Sequence, residues 1–296
     1  MLGKFIGLRR GGYIEPPDLL HSVSDESLLE AARRSDGLSS VTLLATSGSS
    51  GFFFSGLRDG RRRFLKTHRT LVAGDNLRKE FGVLFRIYSE RLRPLLHHFC
   101  LDEEVWYFLE MDYVENGNLA DVRPDSMSRL IDGIAVQFQS ANDIEWNYNA
   151  HSLHALAAPA IEELSAAHLL EPSVIRTCED SARRFLDYVD SESVVCHGDF
   201  GNENVRILGK DMLVLDWEDA MVGPRFYDIL YWLSFLAQRR YYSASLLGEL
   251  GIPRQYGVDV MVVIVLLKSY LAFLKGLHAG FRLSVSDRIR EIVDKL

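Results

Sequence analysis

The sequence predicts an α+β fold with its strands gathered in the first third. Three observations carry this. Between Val41 and Met111, short apolar runs alternate with Gly, Asp and Ser at turn spacing. From Met127 onward, apolar residues recur mainly at helical intervals. Within that helical part, two short apolar runs, Val194–Cys196 and Met212–Leu215, enclose a polar loop containing His197-Gly198-Asp199 and Asn204.

Composition narrows the function classes. The chain has 296 residues, 47% hydrophobic and 25% charged, enough for a globular protein with a real core. A formal charge of −8 argues against a nucleic-acid partner, whose footprint is normally basic. Cys100, Cys178 and Cys196 are irregularly spaced and suggest neither a disulfide framework nor a zinc site. The first residues lack a long apolar stretch, so no secretory signal is expected. The longest apolar run, Val260–Leu267, is short for a bilayer span and reads as a buried helix. The expectation is a cytoplasmic protein without membrane insertion, a monomer or weak homodimer.

Taken in order, residues 1–40 are an N-terminal extension. Ser24 is placed to cap a helix over Asp25–Arg34, whose Leu28-Leu29 and Ala31-Ala32 give it an apolar side. Strands follow in VTLLAT, FFFSGL and RFLKTH. A small-residue turn, Ser47-Gly48-Ser49-Ser50-Gly51, joins the first two, and Asp59-Gly60 is the tip between the others. Arg58 and Arg61–Arg63 read as a solvated turn. Lys66 lies inside the third strand and needs an anionic partner if buried. A helix over Asp75–Ser89 follows, with Leu77, Phe81, Leu84 and Tyr88 on one face and Glu80 at its margin. Leu95–Cys100 and Val105–Met111 form a hairpin. Beyond Met127, helices are expected over Ala157–Leu169, Ser173–Tyr188, Tyr227–Arg240, Val258–Gly276 and Val285–Leu296. His151, His154 and His168 lack partners at ligand spacing and read as ordinary histidines.

The loop after Val194–Cys196 carries the chemistry. Its acid, its amide and the Asp216-Trp217-Glu218 that ends the second run suit phosphoryl transfer. Magnesium prefers oxygen ligands and usually takes one or two carboxylates. Asn204 and Asp216 supply such oxygens, which leaves Asp199 to accept a proton from a hydroxyl.

These residues resemble a known family. HGDFGNEN is similar to the H-G-D-x-x-x-x-N motif of aminoglycoside phosphotransferases, choline kinases and related small-molecule kinases. LDWEDAMVGPRFYDI resembles their I-D-W-E…G-x-x-x-x-D-I segment. The resemblance runs from about Val41 to the C-terminus. It implies a bilobal protein-kinase-like fold, with a small β-rich N-lobe in residues 1–113 and a larger, mainly helical C-lobe in residues 114–296. It implies ATP and Mg²⁺ as cofactors. Lys66, steadied by Glu80, would hold the α- and β-phosphates. Ser47–Gly51 would cover them, although the G-x-G-x-x-G spacing is absent. Met111 would be the gatekeeper, with the Asp112 carbonyl and Val114 amide facing adenine, and Gly117 would let the chain turn away. Asp228 would brace the catalytic loop, as would His197.

Departures from protein kinases point to small acceptors. Gly198 stands where they have Arg, and Gly201 where they have Lys. The short interval from Asp216 to Asp228 leaves no room for an activation-loop phosphosite. The acceptor would be a hydroxyl on an aminoglycoside, an amino alcohol or a sugar. Glu218 and Asp219, with Tyr231 and Trp232 nearby, would suit a cationic group, and the polar stretch 142–154 would reach the acceptor. The competing readings are a non-catalytic nucleotide-binding scaffold and a nucleotidyltransferase on the same fold. Retention of Asp199 and Asp216 disfavours the scaffold.

Overall fold

The structure is a computed structural model. It describes residues 24–35, 37–46, 51–68, 74–101, 104–115, 122–138, 150–208, 211–280 and 282–296. The expected turn at Ser47–Ser50, Gly117, and residues 142–149 of the polar stretch lie outside the described residues.

The first lobe begins with helix α1 (Asp25–Arg33), capped by the Ser24 hydroxyl, which accepts from the Ser27 N–H. Five strands follow: β1 (Ser39–Thr46), β2 (Gly51–Arg58), β3 (Arg61–His68), β4 (Leu95–Leu101) and β5 (Glu104–Asp112). They form one antiparallel sheet in the order β1-β2-β3-β5-β4. Asp59 and Gly60 both take positive φ, 50° and 73°, as a tight hairpin tip requires. Helix α2 (Gly74–Leu92) connects β3 to β4.

Strand alternation splits this sheet chemically. Phe52, Phe54, Leu65, Trp106 and Phe108 pack with Leu28 and Ala32 of α1 into a small separate core. Leu109 and Met111 belong instead to the main core, with Leu77, Leu84 and Tyr88 of α2. Lys66 is opposite Leu109 in the register, and Leu65 is opposite Glu110. Successive residues point to opposite faces, so Lys66 shares the face of α2 while Glu110 shares that of α1.

One expectation fails here. Of the arginines expected in a solvated turn, Arg61 and Arg62 are exposed, but Arg63 is buried and Arg58 half-buried. Arg63 is 3% exposed. Its Nε donates to Glu110 at 2.7 Å, and it also bonds Asp112 and the Arg93 carbonyl. Arg58 grips Glu110 with two bonds of 2.8 Å. A basic run at a hairpin tip resembles an exposed turn, and the acids that pair with Arg58 and Arg63, buried Glu110 and half-buried Asp112, lie about fifty residues further on.

The second lobe holds α3 (Pro124–Ala135), α4 (Ala150–His154), α5 (Ala157–Ala166) and α6 (Pro172–Ser191). Four short strands come next: β6 (Ser193–Cys196), β7 (Val205–Leu208), β8 (Asp211–Val214) and β9 (Met221–Pro224). β6 pairs with β9 and β7 with β8, both antiparallel. Helices α7 (Tyr227–Leu233), α8 (Leu246–Glu249), α9 (Arg254–Leu274) and α10 (Val285–Lys295) complete the chain. The helix expected over Tyr227–Arg240 stops at Leu233 and resumes as a 3₁₀ turn, Leu236–Tyr241. Ser234 ends it. Its hydroxyl donates to the Tyr231 carbonyl at 2.6 Å, which competes with the helical ladder.

α9 is the one helix among the described residues long and apolar enough to cross a membrane. Val260–Leu267 are all buried within the main core, and α9 packs against α5, α6 and α10. Its buried Asp259 accepts from Ser181, Arg184, Tyr188 and Gln255. A buried carboxylate needs such partners, and they fix the rotation of α9 against α6.

Candidate active site

The site is assembled where β3, α2 and the β6–β9 segment meet. Lys66 is 4% exposed and its Nζ lies 2.9 Å from Glu80 Oε2. The same ammonium contacts Asp216 and lies 2.6 Å from Glu218 Oε1. Carboxylate oxygens of Glu80, Asp216 and Glu218 lie within 4.8 Å of one another. Burial alone would lower the Lys66 pKa. Asp216, Glu218 and Glu80 outweigh it and hold that pKa well above the ordinary lysine value. Glu80 has the smallest of the three shares. Burial lifts its carboxyl above the usual range despite Lys66, and its Oε1 has no hydrogen-bond partner among the described residues. Glu218 is held below the usual range: burial opposes this, but Lys66 and His68 prevail.

His68 and Glu218 are new members of this cluster, joined at 2.6 Å. His68 sits two residues beyond Lys66, and that spacing on a strand puts both side chains on one face. The sequence therefore held a signal for His68. Lys79, next to Glu80, is buried and donates to the Ala220 carbonyl at 2.9 Å. Burial lowers its pKa to about 8. This bond ties α2 to the chain just beyond Asp216.

The loop after β6 is held from three sides. Asp228 of α7 accepts the His197 N–H at 2.7 Å and the Gly198 N–H at 3.1 Å. The His197 Nε2–H donates to the Leu215 carbonyl at 2.9 Å, and Nδ1 accepts the Asp199 N–H at 3.3 Å. These two bonds define one tautomer and lock the ring. The Asn204 amide nitrogen donates to the Asp199 carbonyl at 2.9 Å. The Asn204 carbonyl accepts the Leu215 N–H at 2.8 Å. Asp199, Asn204 and Asp216 are thus brought together through backbone links. Gly198 is required: at φ 82°, an added Cβ would lie 2.1 Å from the Asp219 carbonyl oxygen.

Asp216 itself has left-handed backbone angles, φ 67° and ψ 57°. Such a conformation is uncommon for a residue with a side chain, though Asp tolerates it better than most. It lies two residues beyond the end of β8 and turns the chain into a short 3₁₀ segment, Trp217–Asp219. The Trp217 indole N–H donates to the Val214 carbonyl at 2.8 Å, and the ring packs 4.7 Å from His197. Tyr88 of α2 accepts the Val214 N–H at 3.1 Å. The segment is therefore tied to both lobes.

The donor set fits a magnesium ion. Asn204 commits its nitrogen to Asp199, while its Oδ1 makes no hydrogen bond among the described residues. The Asp216 carboxylate remains 45% exposed despite its contact with Lys66. One amide oxygen and one carboxylate are the hard donors this ion prefers. At the end of β5, Met111 is buried opposite Phe64. The Tyr113 N–H bonds the Arg62 carbonyl, whereas the Val114 N–H makes no hydrogen bond among the described residues. The Asp112 carboxylate turns to Arg63 and Arg93. Gly51 begins β2, and Ser47, Gly48, Ser49 and Ser50 lie outside the described residues.

The acids and aromatics expected to receive a cationic acceptor are otherwise engaged. Glu218 binds Lys66 and His68, Asp219 is buried, Tyr231 donates to Asp199, and the Trp232 N–H donates to Asn202 at 2.6 Å. These four side chains are therefore committed to the fold and do not form a receptor for a cationic group.

A family model described as "Phosphotransferase enzyme family" matches residues 42–252. The chain belongs to this family. No curated protein matches it by sequence. Solved structures do match in fold. A thermostable mutant of aminoglycoside phosphotransferase APH(4)-Ia, in ternary complex with ADP and hygromycin B, is 18% identical, with a TM-score of 0.57 over 91% of this chain and 98% of that one. The amicoumacin kinase hAmiN, complexed with AMP-PNP, Ca²⁺ and Ami, is 13% identical, with a TM-score of 0.60 over 93% and 94%. An aminoglycoside phosphotransferase from Alicyclobacillus acidocaldarius is 12% identical, with a TM-score of 0.55 over 90% of each chain. The α+β, kinase-like architecture of these structures is that of this phosphotransferase-family chain.

Proposed function

We propose that this protein transfers the γ-phosphoryl group of ATP to a hydroxyl of a small molecule. The observation that carries this is the reach of Lys66, from β3, to both Glu80 of α2 and Asp216 of the second lobe. A buried ammonium shared in this way joins a phosphate-holding lysine to a metal-holding acid. The nucleotide complexes of the similar structures support ATP as donor.

In this reading, residues 1–113 bind the nucleotide and residues 114–296 supply catalysis and acceptor binding. Lys66, steadied by Glu80, would hold the phosphates. Gly51 and the preceding Ser47–Ser50 would cover them, and Met111, Asp112 and Val114 would meet adenine. The Val114 N–H, which makes no hydrogen bond among the described residues, supports that last assignment. Asn204 and Asp216 would hold Mg²⁺. When bound, the ion offsets charge on the phosphate oxygens. Asp199 orients the acceptor hydroxyl and takes its proton. Asp228 and His197 keep the loop rigid, and alignment is the main source of rate in this chemistry. The acceptor class is an aminoglycoside, an amino alcohol or a sugar.

The test is ADP release with a panel of these acceptors, followed by product mass. An acceptor heavier by one phosphate supports the proposal; an adenylylated product replaces it with nucleotidyl transfer. Asp199→Asn should keep nucleotide affinity and lose turnover by about 1000-fold, within the range typical of general-base removal. Wild-type turnover in that variant removes Asp199 from the mechanism.

A further inference from the structure

Helix α7 contributes more than Asp228. Three of its side chains, at i, i+3 and i+4, face the same loop. Asp228 takes the N–H groups of His197 and Gly198, Tyr231 donates its hydroxyl to Asp199 Oδ1, and Trp232 donates to Asn202. We propose that Tyr231 is a positioning residue for the Asp199 carboxylate, fixing its rotation before the acceptor arrives. This rests on the phosphotransfer reading given above.

Several features set Tyr231 apart from a packing aromatic. It is 4% exposed and Asp199 is 9% exposed, so their bond is shielded from water. A hydrogen bond to an ionised group is stronger than a neutral one, and low dielectric strengthens it further. Burial and the charge of Asp199 raise the phenol pKa well above its ordinary value, so the hydroxyl remains a donor. The ring is also held from behind. Lys268 Nζ lies 4.1 Å from its centroid, and Phe235 meets it edge-on at 5.7 Å. Phenylalanine would fill the same space and keep these ring contacts. Only the bond to Asp199 requires the hydroxyl.

The experiment is Tyr231→Phe in the full chain, assayed with MgATP and each of hygromycin B, ethanolamine and glucose, and with water alone as acceptor. The expected result is a fall in kcat of about 10- to 100-fold, the range for a hydrogen bond to a charged group. The KM for ATP and the Kd for ADP should stay close to wild type, and the melting temperature should fall by no more than a few degrees, as the loss of one buried hydrogen bond implies. In an Asp199→Asn background, adding Tyr231→Phe should change the residual rate little, because the two residues act as a unit. A kcat close to wild type in the single variant overturns the positioning role and leaves phosphotransfer intact. So does a loss of ADP affinity or folding that accounts for the lost rate, since that assigns Tyr231 to packing. Absence of wild-type turnover with every acceptor and with water overturns the phosphotransfer reading, and the positioning role with it.

Discussion

Replacing Glu110 by Gln should remove a large and pH-dependent share of the stability of the first lobe. Glu110 is fully buried and receives four bonds: two from Arg58, one from Arg63 and one from His97 at 2.7 Å. Burial alone would raise its pKa. The bonds from His97, Arg58 and Arg63 prevail and lower it from 4.5 to about 2. That gap of about 2.5 units corresponds to about 3 kcal/mol at pH 7. Gln keeps the shape and loses the charge, leaving two arginines facing a neutral amide, and breaking one partner of a buried pair typically costs about 3–5 kcal/mol.

The sign follows from linkage. A carboxyl with a depressed folded-state pKa stabilises the fold above its unfolded pKa, and that stability is lost as pH falls through the folded value. The wild-type advantage over Glu110→Gln should therefore be constant from pH 8 to about 5. It should narrow to about 2 kcal/mol near pH 3.5. Urea unfolding of both proteins across this range measures it. An advantage below about 1 kcal/mol at pH 7 would show that the charge cluster is worth no more than a surface pair. An advantage that is flat down to pH 3.5 would refute the depressed pKa.

Three further outcomes follow from the site. Gly198→Ala should fail to give folded protein or lose about 3 kcal/mol, because the Cβ meets the Asp219 carbonyl and left-handed φ disfavours alanine; urea unfolding measures the loss. Asp228→Asn sets an amide donor against the His197 or Gly198 N–H. It should cost about 2 kcal/mol and lower kcat more than it raises the KM for ATP. Lys79→Met tests a lowered lysine pKa. The folded state resists charging Lys79 below about pH 8, so wild type should gain stability relative to Lys79→Met as pH rises from 8 toward 10.5. The gain is at most about 3 kcal/mol, and a constant difference in urea midpoints over that range would contradict it.

Much of this was legible in the sequence because local rules act locally. Ser24 caps its helix, Asp59-Gly60 forms its tip, and the apolar runs around Asp199 form strands, one paired with β9 and the other with β7. Periodicity places Lys66 inside a strand and Glu80 at a helix margin, the family resemblance implies their pairing, and they meet at 2.9 Å, 14 residues apart. What was not legible depends on partners far along the chain. Arg63 looked solvated because Glu110 lies 47 residues away. Glu218 looked free for an acceptor because Lys66 and His68 lie about 150 residues before it. In both cases residue type announced a charge but not its partner. Composition near a site is therefore weak evidence about what the site receives.

The helix after β9 shows where a finer reading was available. The family motif marks Asp228, whereas Tyr231 and Trp232 one turn later stand out in the sequence only as aromatics suited to a cationic group. With Asp228 facing the His197 loop, helical spacing puts positions 231 and 232 on the same face. Both have a single polar tip on a large apolar body, which suits a residue that must be buried and still donate one bond. A loop that orients a carboxylate needs donors on its rear side, and α7 supplies them within two turns. The His197–Asn204 loop and this helix are therefore held as one unit, and on the proposed function substitutions on α7 should lower kcat with each acceptor of the panel by a similar factor, which the ratio of kcat/KM between acceptors measures.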